Sequence, residues 1–192
     1  MNKTRLEAFS DAVIAIIMTI MVLELKTPHG ADLEALKPLL PVFLAYILSF
    51  VYLGIYWNNH HHMLQATRKV NGKVLWANLH LLFWLSLIPF VTGWMGENHF
   101  EPLPTAVYGV VLLLAGHAYT ILQNKLVHHS DGENSALGEA VGGDIKGKLS
   151  LIAYILAIPL AFVHEHISHA IYALVALMWF IPHTRIERKL SE

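Results

Sequence analysis

RLEAFSDAVIAIIMTIMVLEL, Arg5 to Leu25, is an apolar run with Arg5, Glu7, Ser10 and Asp11 crowded into its first turns. A stretch this apolar and this long reads as a helix crossing a bilayer, which needs about 20 residues. Asp11 then lies about five residues inside the helix, in the cytoplasmic third of the membrane. Ionisable groups at such depth are costly and turn toward the protein interior with a partner. The acid therefore predicts company from other helices at the same level.

Composition agrees that the solvent is lipid. Of 192 residues 55% are hydrophobic and 14% charged, against about 25% charged in soluble domains, and the mean hydropathy is +0.49. The apolar residues fall into blocks at about 6–25, 38–57, 74–93, 105–126, 147–163 and 167–183. These predict an all-α membrane protein with six transmembrane helices in a single domain spanning 1–192. Charge distribution supports the count. With the N-terminus inside, one side collects Lys3, Arg5, Arg68, Lys69, Lys73, Lys125, Lys146, Lys148, Arg185, Arg188 and Lys189, eleven of the thirteen basic residues. Only Lys26 and Lys37 fall on the other side. Short cytoplasmic loops retain Lys and Arg, so both termini are expected in the cytoplasm.

Several classes are disfavoured by the same inventory. No small-residue cleavage site follows the first block, which reads as an uncleaved helix rather than a signal peptide. The chain has no cysteine, hence no disulfide, thiolate metal site or iron–sulfur cluster. A net charge of −1 without a basic patch argues against nucleic acid as a partner. His60, His61 and His62 adjoin one another, but consecutive helical side chains point about 100° apart and do not ligate one metal as an i, i+4 pair does. No metal or cofactor is expected. The long polar loop, His128 to Lys148, carries glycines that suit a flexible connection.

At the depth of Asp11 the second span brings YWNNHHH, Tyr56 to His62, and the third brings WANLHLL with Trp76, Asn78 and His80. A hydrogen-bonded knot of Asp11, Ser10, His61 and Asn78 would satisfy the acid. The opposite side of the first helix is different. At about 100° per residue, Ile16, Ile20 and Leu23 fall within roughly 60° of each other with Thr19 beside them, and Asp11 lies about 140° from Ile16. That front of branched apolar residues with one hydroxyl must meet lipid, another subunit or a pore axis. On the outer side His99, His164, His166 and His169 accompany Glu97, Glu101 and Glu165. Histidine changes charge between pH 5 and 8, which makes these four the candidates for sensitivity to external acid.

Arg5, Phe9, Ser10 and Asp11 form an RxxxFSD signature, and SFVYLGIYWNNHHHM (Ser49 to Met63) and WANLHLLFWLSLIPFVTGW (Trp76 to Trp94) follow in order. In these segments the chain resembles the transmembrane protein 175 family, the lysosomal and prokaryotic potassium channels. The resemblance covers the first half closely and the second half through span count. It implies a homotetramer whose first helices line a central pore, with the narrowest ring five positions after the signature Asp, at Ile16, and further rings at Thr19 or Ile20 and at Leu23. Many bacterial members carry leucine at that first ring. It also implies a potassium-permeable channel in a bacterial or archaeal cell membrane, working without a TVGYG filter, which this chain lacks too. A ring of apolar side chains gates by dewetting, and partial dehydration at the ring predicts modest preference for potassium over sodium. Arg5, Ser10 and Asp11 would then anchor the base of the pore helix. Two alternatives from other classes use the same residues: a cation- or proton-coupled transporter with Asp11 as carrier site, and a haem protein or membrane enzyme using His61, His80 or His117.

Overall fold

The computed structural model describes residues 3–67, 70–129 and 144–180. Arg68, Lys69, most of the polar loop after His128, and the basic C-terminal stretch with Arg185, Arg188 and Lys189 lie outside the described residues. Within them the chain is all-helical, with six rods of which the third is broken.

The first helix, α1, runs over Lys3–Ile20 and tightens into a 3₁₀ turn at Met21–Glu24. Leu6, Ser10, Ile14, Ile17 and Met21 recur three or four residues apart and form its buried stripe. The second rod starts with a 3₁₀ segment, Leu33–Leu39, capped by Asp32 Oδ1 accepting from the Ala35 amide at 3.0 Å. It continues as α2, Leu40–Gln65, with Pro41 in the first turn, where a missing N–H removes no helical bond. The sequence expectation ended this span at residue 57. In the structure the polar run NNHHH stays helical, and Asn59 donates back to the Ile55 carbonyl at 2.8 Å.

The third rod consists of α3, Gly72–Ser86, and α4, Ile88–Glu97, separated at Leu87. Pro89 explains the break: it offers no N–H to the Leu85 carbonyl, and its ring crowds that oxygen. The Leu87 amide reaches instead to the Trp84 carbonyl at 3.2 Å. Asn71 Oδ1 starts α3 by accepting from the Val74 amide at 3.0 Å. Then come α5, Pro102–His129, α6, Ile145–Leu160, and α7, Glu165–Phe180. Asp144, at φ 36°, caps α6 through the Gly147 amide, and a Cβ at Gly147 would collide with that carboxylate.

The centre of the bundle is α5, which packs on α3, α4, α6 and α7, while α1 packs on α3, α2 and α4. Hydroxyls tie the rods where lipid offers no water to satisfy them. Thr92 donates to Ser49 at 2.7 Å, Ser49 shares a bond with Tyr108 at 2.9 Å, and the Tyr52 hydroxyl reaches the Tyr172 carbonyl at 2.6 Å. Among the described residues, four helical stretches are long and apolar enough to cross a membrane: Lys3–Glu24, Leu33–Gln65, Gly72–Glu97 and Pro102–His128. The described parts of α6 and α7 have 16 residues each, about 24 Å of helix against a hydrocarbon core of about 30 Å. The two basic residues on the sparsely charged side are each neutralised locally, Lys26 by Glu97 and Lys37 by Glu34. Glu97 holds the Lys26 ammonium above its ordinary pKa, chiefly through their hydrogen bond.

Candidate functional site

One side of α1 is sewn to the bundle. Ser10 donates to the Leu6 carbonyl at 2.9 Å and accepts from Asn78 Nδ2 at 2.9 Å. The Asn78 amide nitrogen is thus spent as donor, and its Oδ1 lies 2.7 Å from His60 Nε2. That oxygen can only accept, so the network assigns the proton to Nε2 of His60. His60, Asn78 and Ser10 are all fully buried. Three helices meet in this chain of bonds.

The composition of the knot differs from the sequence expectation. His60 takes the place given to His61, and Asp11 stands outside. Asp11 sits half-exposed on the α2 flank of α1 and accepts from Trp57 Nε1 at 3.0 Å. His61, one position and so about 100° further round α2, stacks on Trp57 and places Nδ1 3.6 Å from Glu7. Arg5 and Phe9 of the signature are exposed. His60, Trp57 and Glu7 are the members that sequence reasoning missed. His60 was findable: Leu53, His60 and Leu64 recur at the helical spacing of α2's buried face. Of the remaining histidines, His80 accepts from Trp84 Nε1 at 3.0 Å and His117 is exposed.

The opposite side of α1 is left uncovered among the described residues. Ile16 is 55% exposed and Leu23 75%, with Thr19 and Ile20 also open. Thr19 Oγ1 donates to the Ile16 carbonyl at 2.9 Å. Its hydrogen is committed to the backbone, and its oxygen lone pairs remain to face whatever lies in front. Two grooves flank this ridge. One, toward α3 and α4, is lined by Val13, Ile16, Ile20, Glu24, Pro89 and Phe90. The other, toward α2, is lined by Ala15, Met18, Thr19, Val22, Tyr46 and Phe50.

The outer histidines occupy two places. His99 is exposed in the turn from α4 to α5 with φ 50°. His164, His166 and His169 gather at the start of α7, with ring centroids 5.3 Å and 6.0 Å apart in succession. His169 Nε2 lies 2.9 Å from Thr105 Oγ1, and its ring meets Phe100 edge to face at 4.8 Å. Among the described residues no group of three or more His, Asp or Glu side chains is placed to hold a metal ion.

An all-helical, membrane-type fold with a firmly anchored first helix and a free apolar face on it defines the class of protein. The sequence model of the family described as "Endosomal/lysosomal potassium channel TMEM175" matches residues 5–89. A potassium channel of Chryseobacterium sp. (strain P1-3) is 56% identical over 192 residues, covering 100% of both chains. A potassium channel of Streptomyces collinus is 30% identical over 190 residues, 93% of this chain and 92% of its own. The fold matches the crystal structure of a lysosomal potassium-selective channel TMEM175 homolog from Chamaesiphon minutus with a TM-score of 0.80 at 24% identity, covering 94% of this chain and 97% of that one. The chain belongs to the TMEM175 family. The family and these relatives are channels, not enzymes, which sets aside the enzyme alternative.

Proposed function

We propose that this chain is the subunit of a homotetrameric, potassium-permeable channel in which α1 of each copy lines a central pore. The observation that carries the reading is the free face of α1, apolar apart from Thr19 and left bare by a helix whose other side is tied to α2 and α3 by buried hydrogen bonds. An isolated apolar ridge at the outer surface of a bundle could face lipid. A lipid-facing helix needs no rotational lock, whereas a pore helix must hold a fixed set of residues toward the axis. The Ser10–Asn78–His60 chain supplies such a lock. Ile16 forms the narrowest ring, Thr19 or Ile20 the next, and Leu23 the outermost.

Potassium as the permeant ion rests on the names of the relatives. Preference over sodium follows from partial dehydration at Ile16, with Thr19 oxygens replacing some lost water, and is modest because no carbonyl filter is used. No cofactor takes part. Both termini are cytoplasmic and the whole chain forms one domain in a bacterial or archaeal cell membrane. In this reading Asp11 is a positioning residue and carries no ion. Coupled transport through Asp11 would require it in the ion path, whereas its carboxylate accepts from Trp57 on the side toward α2.

The test is passive flux through purified protein in liposomes, under potassium and then sodium gradients, for wild type, Ile16→Ala and Ile16→Asn. Potassium flux should exceed sodium flux in the wild type. Ile16→Asn, which wets the ring, should raise flux severalfold and bring the two ions closer. Robust flux indifferent to both substitutions would remove Ile16 from the pore.

A further inference from the structure

Among the described residues, two polar groups near the end of the α1 ridge make no hydrogen bond, although one of them, Glu24, lies close enough to Lys26 to attract its charge. Glu24 is half-buried in the groove toward α4, its carboxylate resting on Gly93. Among the described residues it makes no hydrogen bond and no ion pair; nearby Lys26 is engaged by Glu97. Tyr46 is half-buried in the groove toward α2, its ring held between Phe43 and Phe50 at centroid distances of 6.3 and 5.9 Å. Its hydroxyl likewise makes no hydrogen bond among the described residues. The oxygens of both side chains stay accessible at the surface of the chain, so each is open to a partner from outside it, and a tyrosine offers such a partner an apolar ring with a polar tip.

The two groups lie on opposite flanks of α1. Counted from Ile16 at about 100° per residue, Val13, Ile17 and Ile20 turn one way and Ala15, Thr19 and Val22 the other. They also share a depth, which the α2–α4 packing measures. A Cβ built on Gly96 would stand 2.6 Å from Val42 Cα, and Thr92 bonds Ser49, so these antiparallel helices pair 42 with 96 and 49 with 92. Tyr46 therefore falls level with residues 93 to 95. Glu24 touches Gly93. Donor and acceptor stand within about one helical turn of the same height.

A rotation about an axis normal to the membrane keeps depth and brings the left flank of one copy against the right flank of the next. We propose that in the ring of copies Tyr46 of one chain donates a hydrogen bond to Glu24 of its neighbour, sealing each subunit boundary at the outer end of the pore. The inference rests on the reading that α1 faces a ring axis, and adds the contact that sets the register between neighbours. The occupant of each groove is a second copy of this chain, because one flank carries the unpaired acceptor and the other the unpaired donor.

The absence of cysteine permits a direct test. Glu24→Cys and Tyr46→Cys are combined in one chain, reconstituted in liposomes and treated with a short bis-methanethiosulfonate linker, which spans the gap left by the two shortened side chains. The expected result is a ladder of covalently joined chains on a non-reducing gel, with no ladder from either single variant. A second measurement uses milder changes: Tyr46→Phe should accelerate exchange between differently labelled oligomers about tenfold, the loss expected for a charge-assisted hydrogen bond. An unchanged exchange rate would overturn the contact. So would cross-linking by Glu24→Cys alone, which would place that carboxylate on the axis, where it would meet the permeant cation. As a control, chains carrying Ile16→Cys are oxidised with copper phenanthroline. If these join while the double variant gives no ladder, the pore reading stands and the Tyr46–Glu24 contact falls. If neither joins, both fall together.

Discussion

Asn78 is the residue on which the anchoring of α1 turns. It both donates and accepts inside the bundle, holding Ser10 of α1 on one side and His60 of α2 on the other. Replacing it with leucine fits an apolar interior but strands the buried Nε2–H of His60. A buried donor left without a partner costs about 1–3 kcal/mol. Asn78→Leu should lower the unfolding free energy, read by SDS titration in mixed micelles, by roughly that amount. Trp57→Phe removes the indole donor of Asp11, a half-exposed group rather than a fully buried one, and should cost less than Asn78→Leu. The reverse ranking would mean that Asp11, not Asn78, locks the helix. This distinction was only half legible in the sequence. That an acid, a serine, an asparagine and imidazoles converge at one depth follows from the direction of each span. Which of three adjacent histidines joins them depends on helical phase: a step of one residue turns the side chain by about 100°, and only the buried stripe through Leu53 and Leu64 selects His60.

Among the elements, α2 and α4 approach each other backbone to backbone at one point. At Gly96 the two backbones are so near that an added methyl would overlap Val42. Gly54, also on α2, has open space around the position of its missing Cβ. The two glycines therefore predict opposite outcomes for the same chemical change. Gly96→Ala must push α4 away from α2, and overpacking of this kind costs about 1–3 kcal/mol. Gly54→Ala meets nothing and gains helix propensity worth up to about 1 kcal/mol, less where lipid already favours the helix. Thermal unfolding of the detergent-solubilised protein should show a clear fall in Tm for the first and no fall for the second. Sequence blocks of about 20 apolar residues coincide with six helical rods, of which four are, among the described residues, as long and apolar as a bilayer crossing requires. They did not locate the ends or the break. The second rod outlasts its apolar block because Asn and His can close helical hydrogen bonds as well as leucine can. The third is cut at Leu87, although Pro89 was visible, because hydropathy averages across a proline while backbone hydrogen bonding does not.

At the scale of the molecule, the proposed pore helix stands apart from most of the histidines singled out in the sequence. The main neighbours of α1 are α2, α3 and α4, whereas α7, which carries His164, His166 and His169, packs on α6, α2 and α5. His99 stands apart from that cluster, in the turn that leaves α4 just past Glu97, whose partner Lys26 belongs to the connection leaving α1. Screening limits exposed charges to a reach of about 8 Å at physiological ionic strength. On the proposed reading His99 is therefore the candidate nearest the end of the pore helix. A fixed positive charge there would lower the local cation concentration, so His99→Lys should reduce potassium flux in liposomes, while His164→Lys or His166→Lys should leave most of it. Raising the salt should weaken the His99→Lys effect, since it is electrostatic and exposed. If lysine on α7 instead has the larger effect, the signal travels through packing: His169 touches Thr105 and Phe100 at the start of α5, and α5 is the helix against which α3 and α4, two of the supports of α1, are packed.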